Sequence, residues 1–406
     1  MRRFNILFSV FLALSPGFGF SCLGDEPDDY DQYYQIHVPP FADMIIDRVR
    51  GDIKRDIMKK KDSESDAEYA IRKRIAENMR DTLTSAIREL DHVRLGLQLD
   101  HPQKRIYLDL SATAIEHADL ARRLNEVRQL KTSFAGTQQA DATLAAHWVG
   151  RASKQKAQAA AQIFRLIREI DLKKIDDAAV RDLAGVVFDV LESTAESSRF
   201  DGGLSLVLKA DHVTLVAGGF VADDGRLEGV FRQVAGYVRD NHADAAKVEL
   251  DAEQFEDVSL HHVALSAPAE GADRKNFLRM FGDDLDIVVA FQPEAVFVAA
   301  GKDATTAIKP AIQQSAAPVV PESPLEFSVA LKPIADFIAE TGQGPEAGFT
   351  SMISGILGRA EGRDRILLRA TSVDRGIVIR GEMEQGLLEL MSTVLPELRK
   401  PLLGQE

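Results

Sequence analysis

Nine histidines, a single cysteine and several clusters of carboxylates are the residues of this 406-residue chain whose chemistry could drive a reaction. None of the histidines has the spacing of a metal-ligand set. His261 and His262 are neighbours in a predicted strand, where successive side chains point to opposite faces. One is expected to pack inward and the other to face solvent. His101 precedes Pro102 in a predicted turn, and His147 stands beside Trp148; both are expected to be polar side chains exposed to water. No G-x-S-x-G elbow, H-E-x-x-H pair or P-loop occurs, so the cues for a serine hydrolase, a zinc protease and a nucleotide-binding loop are missing. Gly218-Gly219 falls between a strand and a helix but lacks the three spaced glycines of a phosphate-binding turn, and a bulge or a close-packed strand end is expected there. Asp283, Asp284 and Asp286 could supply the paired carboxylates of sugar chemistry, but their position after Gly282 reads as a turn. The sequence therefore assigns no catalytic residue, no cofactor site, no cofactor and no metal ligand.

The most specific signal is the leader. Arg2 and Arg3 precede an apolar run from Phe4 to Phe20 that ends in small residues, the pattern of a secretory signal peptide over 1–24. Cleavage after Ser21 places Gly19 and Ser21 at the two specificity positions, and cleavage after Gly24 places Cys22 and Gly24 there. Ser15-Pro16 interrupts the run, which falls short of the roughly 20 residues that span a bilayer. Cys22 is the candidate lipidation site if a signal peptidase cuts before it. Membrane attachment is expected only through that lipid or a retained leader. With one cysteine no disulfide can form within the chain, and a chain of this length does not need one. A net charge of −14 opposes nucleic acid and anionic lipid as partners.

Elements that would position any site follow from periodicity. Residues 25–42, rich in Asp, Glu, Tyr and Pro, read as an acidic linker. Residues 43–91 read as two helices whose first stripe is Ile45, Ile46, Val49, Ile53 and Ile57, with a break at Lys61 to Ser65. Beyond them four hairpins are predicted at Leu95 to Ser111, Leu204 to Phe220, Leu285 to Ala300 and Arg365 to Glu382, each followed by a helix. Single strands are expected at Ala142 to Val149, Val258 to Ser266 and Leu325 to Leu331, and two long helices at 154–172 and 176–197. Hairpins two, three and four recur about every 80 residues, which reads as a tandem repeat. Pro310 is expected to kink or shorten the helix after the third hairpin. That hairpin is apolar on both sides, so something should cover its second face.

The expected fold class is α+β: tandem strand-helix-strand-strand-helix units forming mainly antiparallel sheets with helices on one face. The organisation is a first unit with two long helices over 92–200 and a tandem repeat region over 201–406. Three phrases, Lys131-Thr-Ser-Phe-Ala-Gly136, Phe200-Asp-Gly-Gly-Leu-Ser-Leu-Val207 and Leu215-Val-Ala-Gly-Gly-Phe-Val-Ala-Asp223, resemble those of uncharacterised exported proteins of planctomycete-type bacteria. The resemblance spans about residue 85 to the C-terminus and implies an envelope protein; it carries over no site residue. Pro310 and the charged helices before residue 90 depart from it.

The expected function is accordingly a non-enzymatic protein of the periplasm or cell envelope that binds or scaffolds, with an envelope protein as partner. Alternatives are a periplasmic carrier of an apolar ligand or lipid, and an unrecognised hydrolase.

Overall fold

The computed structural model describes residues 30–56, 59–62, 64–209, 211–268, 272–341 and 345–402. The leader, with Ser21, Cys22 and Gly24, lies outside the described residues. Among the described residues no helix is long and apolar enough to cross a membrane.

The described residues begin with strand β1 (Gln32–His37), helix α1 (Ala42–Asp56) and helix α2 (Asp66–Glu89). Strand β1 corrects the expected linker: its backbone pairs with the next strand from Gln32 to His37, and the preceding Tyr30 ring lies in van der Waals contact over Gly96, where a Cβ would clash. Aromatic residues in an acidic stretch had a surface to cover after all. Helix α2 starts at a capping box, Ser65 with Glu68, and Val49, Ile53 and Ala76 form a small core between α1 and α2, as the apolar stripe requires.

Hairpin β2 (Leu90–Asp100) and β3 (Arg105–Ala114) follows, then α3 (Asp119–Val127), β4 (Leu144–Arg151), α4 (Lys154–Asp171), α5 (Ala178–Glu196), hairpin β5 (Arg199–Lys209) and β6 (His212–Phe220), and α6 (Asp224–Asn241). After β7 (Ala246–Phe255) and β8 (Val258–Ser266) the same order returns: α7 (Ala272–Phe281), hairpin β9 (Asp284–Gln292) and β10 (Ala295–Gly301), α8 (Ala304–Ser315), β11 (Leu325–Ala330), α9 (Leu331–Thr341), α10 (Pro345–Gly358), hairpin β12 (Arg365–Val373) and β13 (Gly376–Glu384), and α11 (Gln385–Leu402). The mixed α+β class read from the sequence holds, and all four predicted hairpins and three single strands are present.

The thirteen strands of the described residues join one antiparallel sheet in the order β1-β2-β3-β13-β12-β11-β4-β5-β6-β10-β9-β8-β7. That order shows what the 80-residue spacing concealed. Exchanging β1, β2, β3, β4, β5 and β6 for β8, β9, β10, β11, β12 and β13 reverses the first twelve strands onto themselves. The strand order is pseudo-two-fold symmetric about an axis between β4 and β11, where the spacing suggested four tandem copies. Hairpin one is equivalent to three, and two to four. The halves interleave, because β3 pairs with β13 and β6 with β10.

Register determines the two faces. Val288, Ala290, Phe297, Ala299 and Val216 share one face and pack beneath Ile308, Ala311 and Ile312 of α8 in the main core. On the opposite face Phe231 of α6 packs against Phe291 and His261. Helices therefore cover both faces of β9, as the doubly apolar third hairpin demanded. Helix α8 does not end early at Pro310: it runs through the proline to Ser315, held by residues with no solvent exposure on both sides of it. Burial of that apolar stripe outweighs the one lost backbone hydrogen bond.

Candidate functional site

At the pseudo-two-fold axis the loops after α3 and α8 meet, exchanging backbone hydrogen bonds between Thr132 and Val319. Beneath them Asp201 is buried and accepts from Thr132 Oγ1 (2.7 Å), Ser133 N (3.2 Å) and Arg199 Nη2 (3.2 Å). Arg199 also pairs with Glu294 and lies over the Phe220 ring. Gly203 and Gly218 are required here. A Cβ on the first would meet Thr137 and the Phe134 carbonyl, and on the second the rings of Phe297 and Phe134. The three phrases 131–136, 200–207 and 215–223 are thus one packing unit, in which the first loop lies on the two glycine-bearing strands. Gly218 is a close-packed position inside β6, and the strand continues without a bulge.

The histidines fall differently from expectation. His147 is buried, not a surface group: its Nε2–H donates to the Ser323 carbonyl (2.7 Å), and Nδ1 accepts from the Gln138 amide. His261 is buried under α6, with Nδ1 accepting from Asp251 N–H (3.1 Å), which places the proton on Nε2, 3.5 Å from Glu228. Burial, followed by the nearby Arg232 charge, lowers the His261 pKa below its ordinary 6.5, against the opposing pull of Asp251 and Glu228. His262 points to the other face, as strand alternation requires, but bonds Thr305 of α8 where solvent was expected. Asp283 follows Gly282, whose φ of +83° makes the expected turn, and Asp284 opens β9.

The sheet changes character in the wing formed by β1, β2, β3, β13, β12 and β11. Register carries the α8 face onto a ladder of ion pairs. Asp109, only 2% exposed, accepts from Arg380 Nε (2.8 Å) and Nη2 (2.6 Å) and from the Tyr30 hydroxyl (2.7 Å). Arg380 lies over the Tyr107 ring, Arg105 pairs with Glu382 and Glu384, and Arg369 with Glu326. Burial first, then the Asp109 carboxylate, raises the Tyr30 phenol above its usual 10.

The reverse face of the same strands is apolar. One register row runs Phe327–Leu368–Gly381–Leu108–Leu97 across five strands, with Phe327, Leu368 and Leu108 exposed at 37, 39 and 44%. The adjoining rows add the exposed Leu325 and Leu99. In the other half α6 covers the equivalent face, at Phe291. Its counterpart α11 packs on β12 and β13, and Leu108 of β3 and Leu99 of β2 remain open.

Two further features could hold ligands. A cleft of about 390 Å³ beside the axis is lined by Lys131, Arg151, Arg199, Ser133 and Pro318, and a larger groove on the helices is lined by ion pairs such as Arg165 with Glu192 and Glu196. At the edge of the charged wing, His37, Asp91 and His92 bring one donor atom each within 4.8 Å of one another. Sequence spacing could not have found this trio, because one member lies on a different strand. No protein-family model matches the chain, and no curated protein or solved structure matches it.

Proposed function

We propose that this is a non-enzymatic exported protein that scaffolds or binds in the cell envelope, docking a partner protein on the apolar face of the β2-β3-β13-β12-β11 wing. The observation that carries this reading is the row of exposed Phe327, Leu368 and Leu108 on an apolar sheet face; in the other half Phe231 of α6 packs on that face at Phe291. Contiguous exposed apolar surface on an otherwise charged protein marks an interaction site. The net charge of −14 favours a partner with a neutral or basic rim and disfavours an anionic membrane. An exposed sheet face suits a protein surface; a carrier for a small apolar ligand needs a concave site that encloses it. Export rests on the leader over 1–24, and the three phrases at the sheet centre support kinship with exported proteins.

The test is site-specific photo-cross-linking in the host cell, with the probe at Leu108, at Leu368 and at the exposed Lys73 on α2 as control. The expected result is one defined adduct from the first two positions, lost on Leu108→Glu/Leu368→Glu in a protein probed at Phe327. Equal labelling from Lys73, or none from 108 and 368, would refute the docking face. Fractionation that finds the full-length chain in the cytosol with its leader intact would refute export.

A further inference from the structure

We infer that His37, Asp91 and His92 form a binding site for a divalent transition-metal ion, with zinc as the reference ion. Two imidazoles and one carboxylate are a mixed nitrogen and oxygen donor set that prefers zinc, iron or cobalt to calcium or magnesium. The geometry is close to what such an ion needs. Donors each about 2.1 Å from a zinc ion stand about 3 to 3.5 Å apart. Here His37 Nδ1 lies 3.3 Å from one Asp91 carboxylate oxygen and His92 Nδ1 lies 2.9 Å from the other, and one donor atom from each residue falls within 4.8 Å of the rest, so an ion would draw the side chains in by roughly 1.5 Å. The two rings are tilted by 42° with centroids 4.8 Å apart.

A bulge builds the site. Adjacent residues of a regular strand point to opposite faces, so Asp91 and His92 could not share an ion in a perfect ladder. Between Leu90, paired with Ala114, and His92, paired with Thr113, the register shifts and Asp91 is the extra residue. Bulges re-aim side chains in this way, and they concentrate at sheet edges. His37 then enters from the edge strand β1, directly opposite His92 in register, and the Asp91 carbonyl accepts from Val38 N–H (2.8 Å), fixing the end of β1 against the bulge. All three side chains reach solvent, His37 most of all, so an ion can enter and one coordination position stays open to water or to a donor from a partner. The ion would bridge β1 and β2.

The experiment is a zinc titration of untagged full-length protein against a chromophoric chelator, followed by cobalt substitution and visible spectroscopy. The expected result is one zinc per chain. His37→Gln, His92→Gln and Asp91→Asn should each weaken binding by about tenfold or more, while His101→Gln, in the β2–β3 turn, leaves it unchanged. Zinc should raise the melting temperature of the parent protein and not that of the double variant His37→Gln/His92→Gln, because only a site present in the folded state shifts stability. Melting curves of the metal-free variants that match the parent show that loss of zinc is not loss of fold. Substoichiometric uptake by the parent, or variant affinities within about twofold of it, would overturn the site. The photo-cross-linking above does not depend on zinc, so the two readings fail separately.

Discussion

Replacing Asp109 by alanine removes a buried anion that accepts three hydrogen bonds from two partners on the charged face. The carboxylate accepts two hydrogen bonds from Arg380 and one from Tyr30 while almost wholly buried. Removing one member of a fully buried pair costs about 3–5 kcal/mol, because the other charge is stranded. Arg380 is 43% exposed, so water can solvate part of its guanidinium and the cost must be discounted for screening. Tyr30 loses its hydroxyl partner, and with it the tether that lays its ring on Gly96. We expect a loss of about 2–3 kcal/mol, read as a lower urea midpoint at unchanged slope. A double-mutant cycle with Arg380→Ala should return a coupling of at least about 1 kcal/mol, and hydrogen exchange should speed up first in β1, the strand that Tyr30 anchors. A loss below about 0.5 kcal/mol with no coupling would refute the claim that this ladder holds the wing together, since that is the level of an ordinary surface substitution.

Gly218→Ala places a methyl group against Phe297 and Phe134; overpacking of this kind should cost about 1–3 kcal/mol in thermal unfolding, and a neutral result would mean that the loop at Phe134 is not seated as described. His261 has a depressed pKa in the folded state, so the folded protein binds fewer protons than the unfolded chain just below the ordinary value of 6.5. Its contribution is complete above pH 6.5 and is lost as pH falls through the folded value; replacement by phenylalanine should flatten stability across that window in urea melts. Asp251, held at about 2 by Arg232, acts in a separate window below about 4, so a slope that persists from pH 6.5 to 5 in the variant would point to another group.

The strands were legible where one face is apolar and the other wet: Leu95, Leu97 and Leu99, or Ile377 and Ile379, spell their period directly. Partnership between hairpins was not. Local period fixes which face of a strand is buried but not which strand lies beside it, so equal spacing suggested a row of repeats where the sheet shows a two-fold exchange. Strand β1 was hidden because its pairing depends on Gly96, more than sixty positions away, accepting the Tyr30 ring. Strand β7 alternates Val248 and Leu250 with Glu249 and Asp251, but Asp251 takes a positive φ and the ladder slips between Glu249 and Glu253. The burial of His147 reflects loops that return from both halves to the axis, and the His37, Asp91 and His92 trio reflects a bulge. Neither leaves a mark in residue spacing.

Interleaving also governs how this protein could be divided. A cut in the loop after α6 would not release two self-sufficient bodies, because each fragment would expose the strand edges that its counterpart caps in the whole sheet. The severed pieces would have to recombine, as two protomers do. A gene encoding a single half would face the same requirement, since the strand edges at β3 and β6 would need a second copy to cap them.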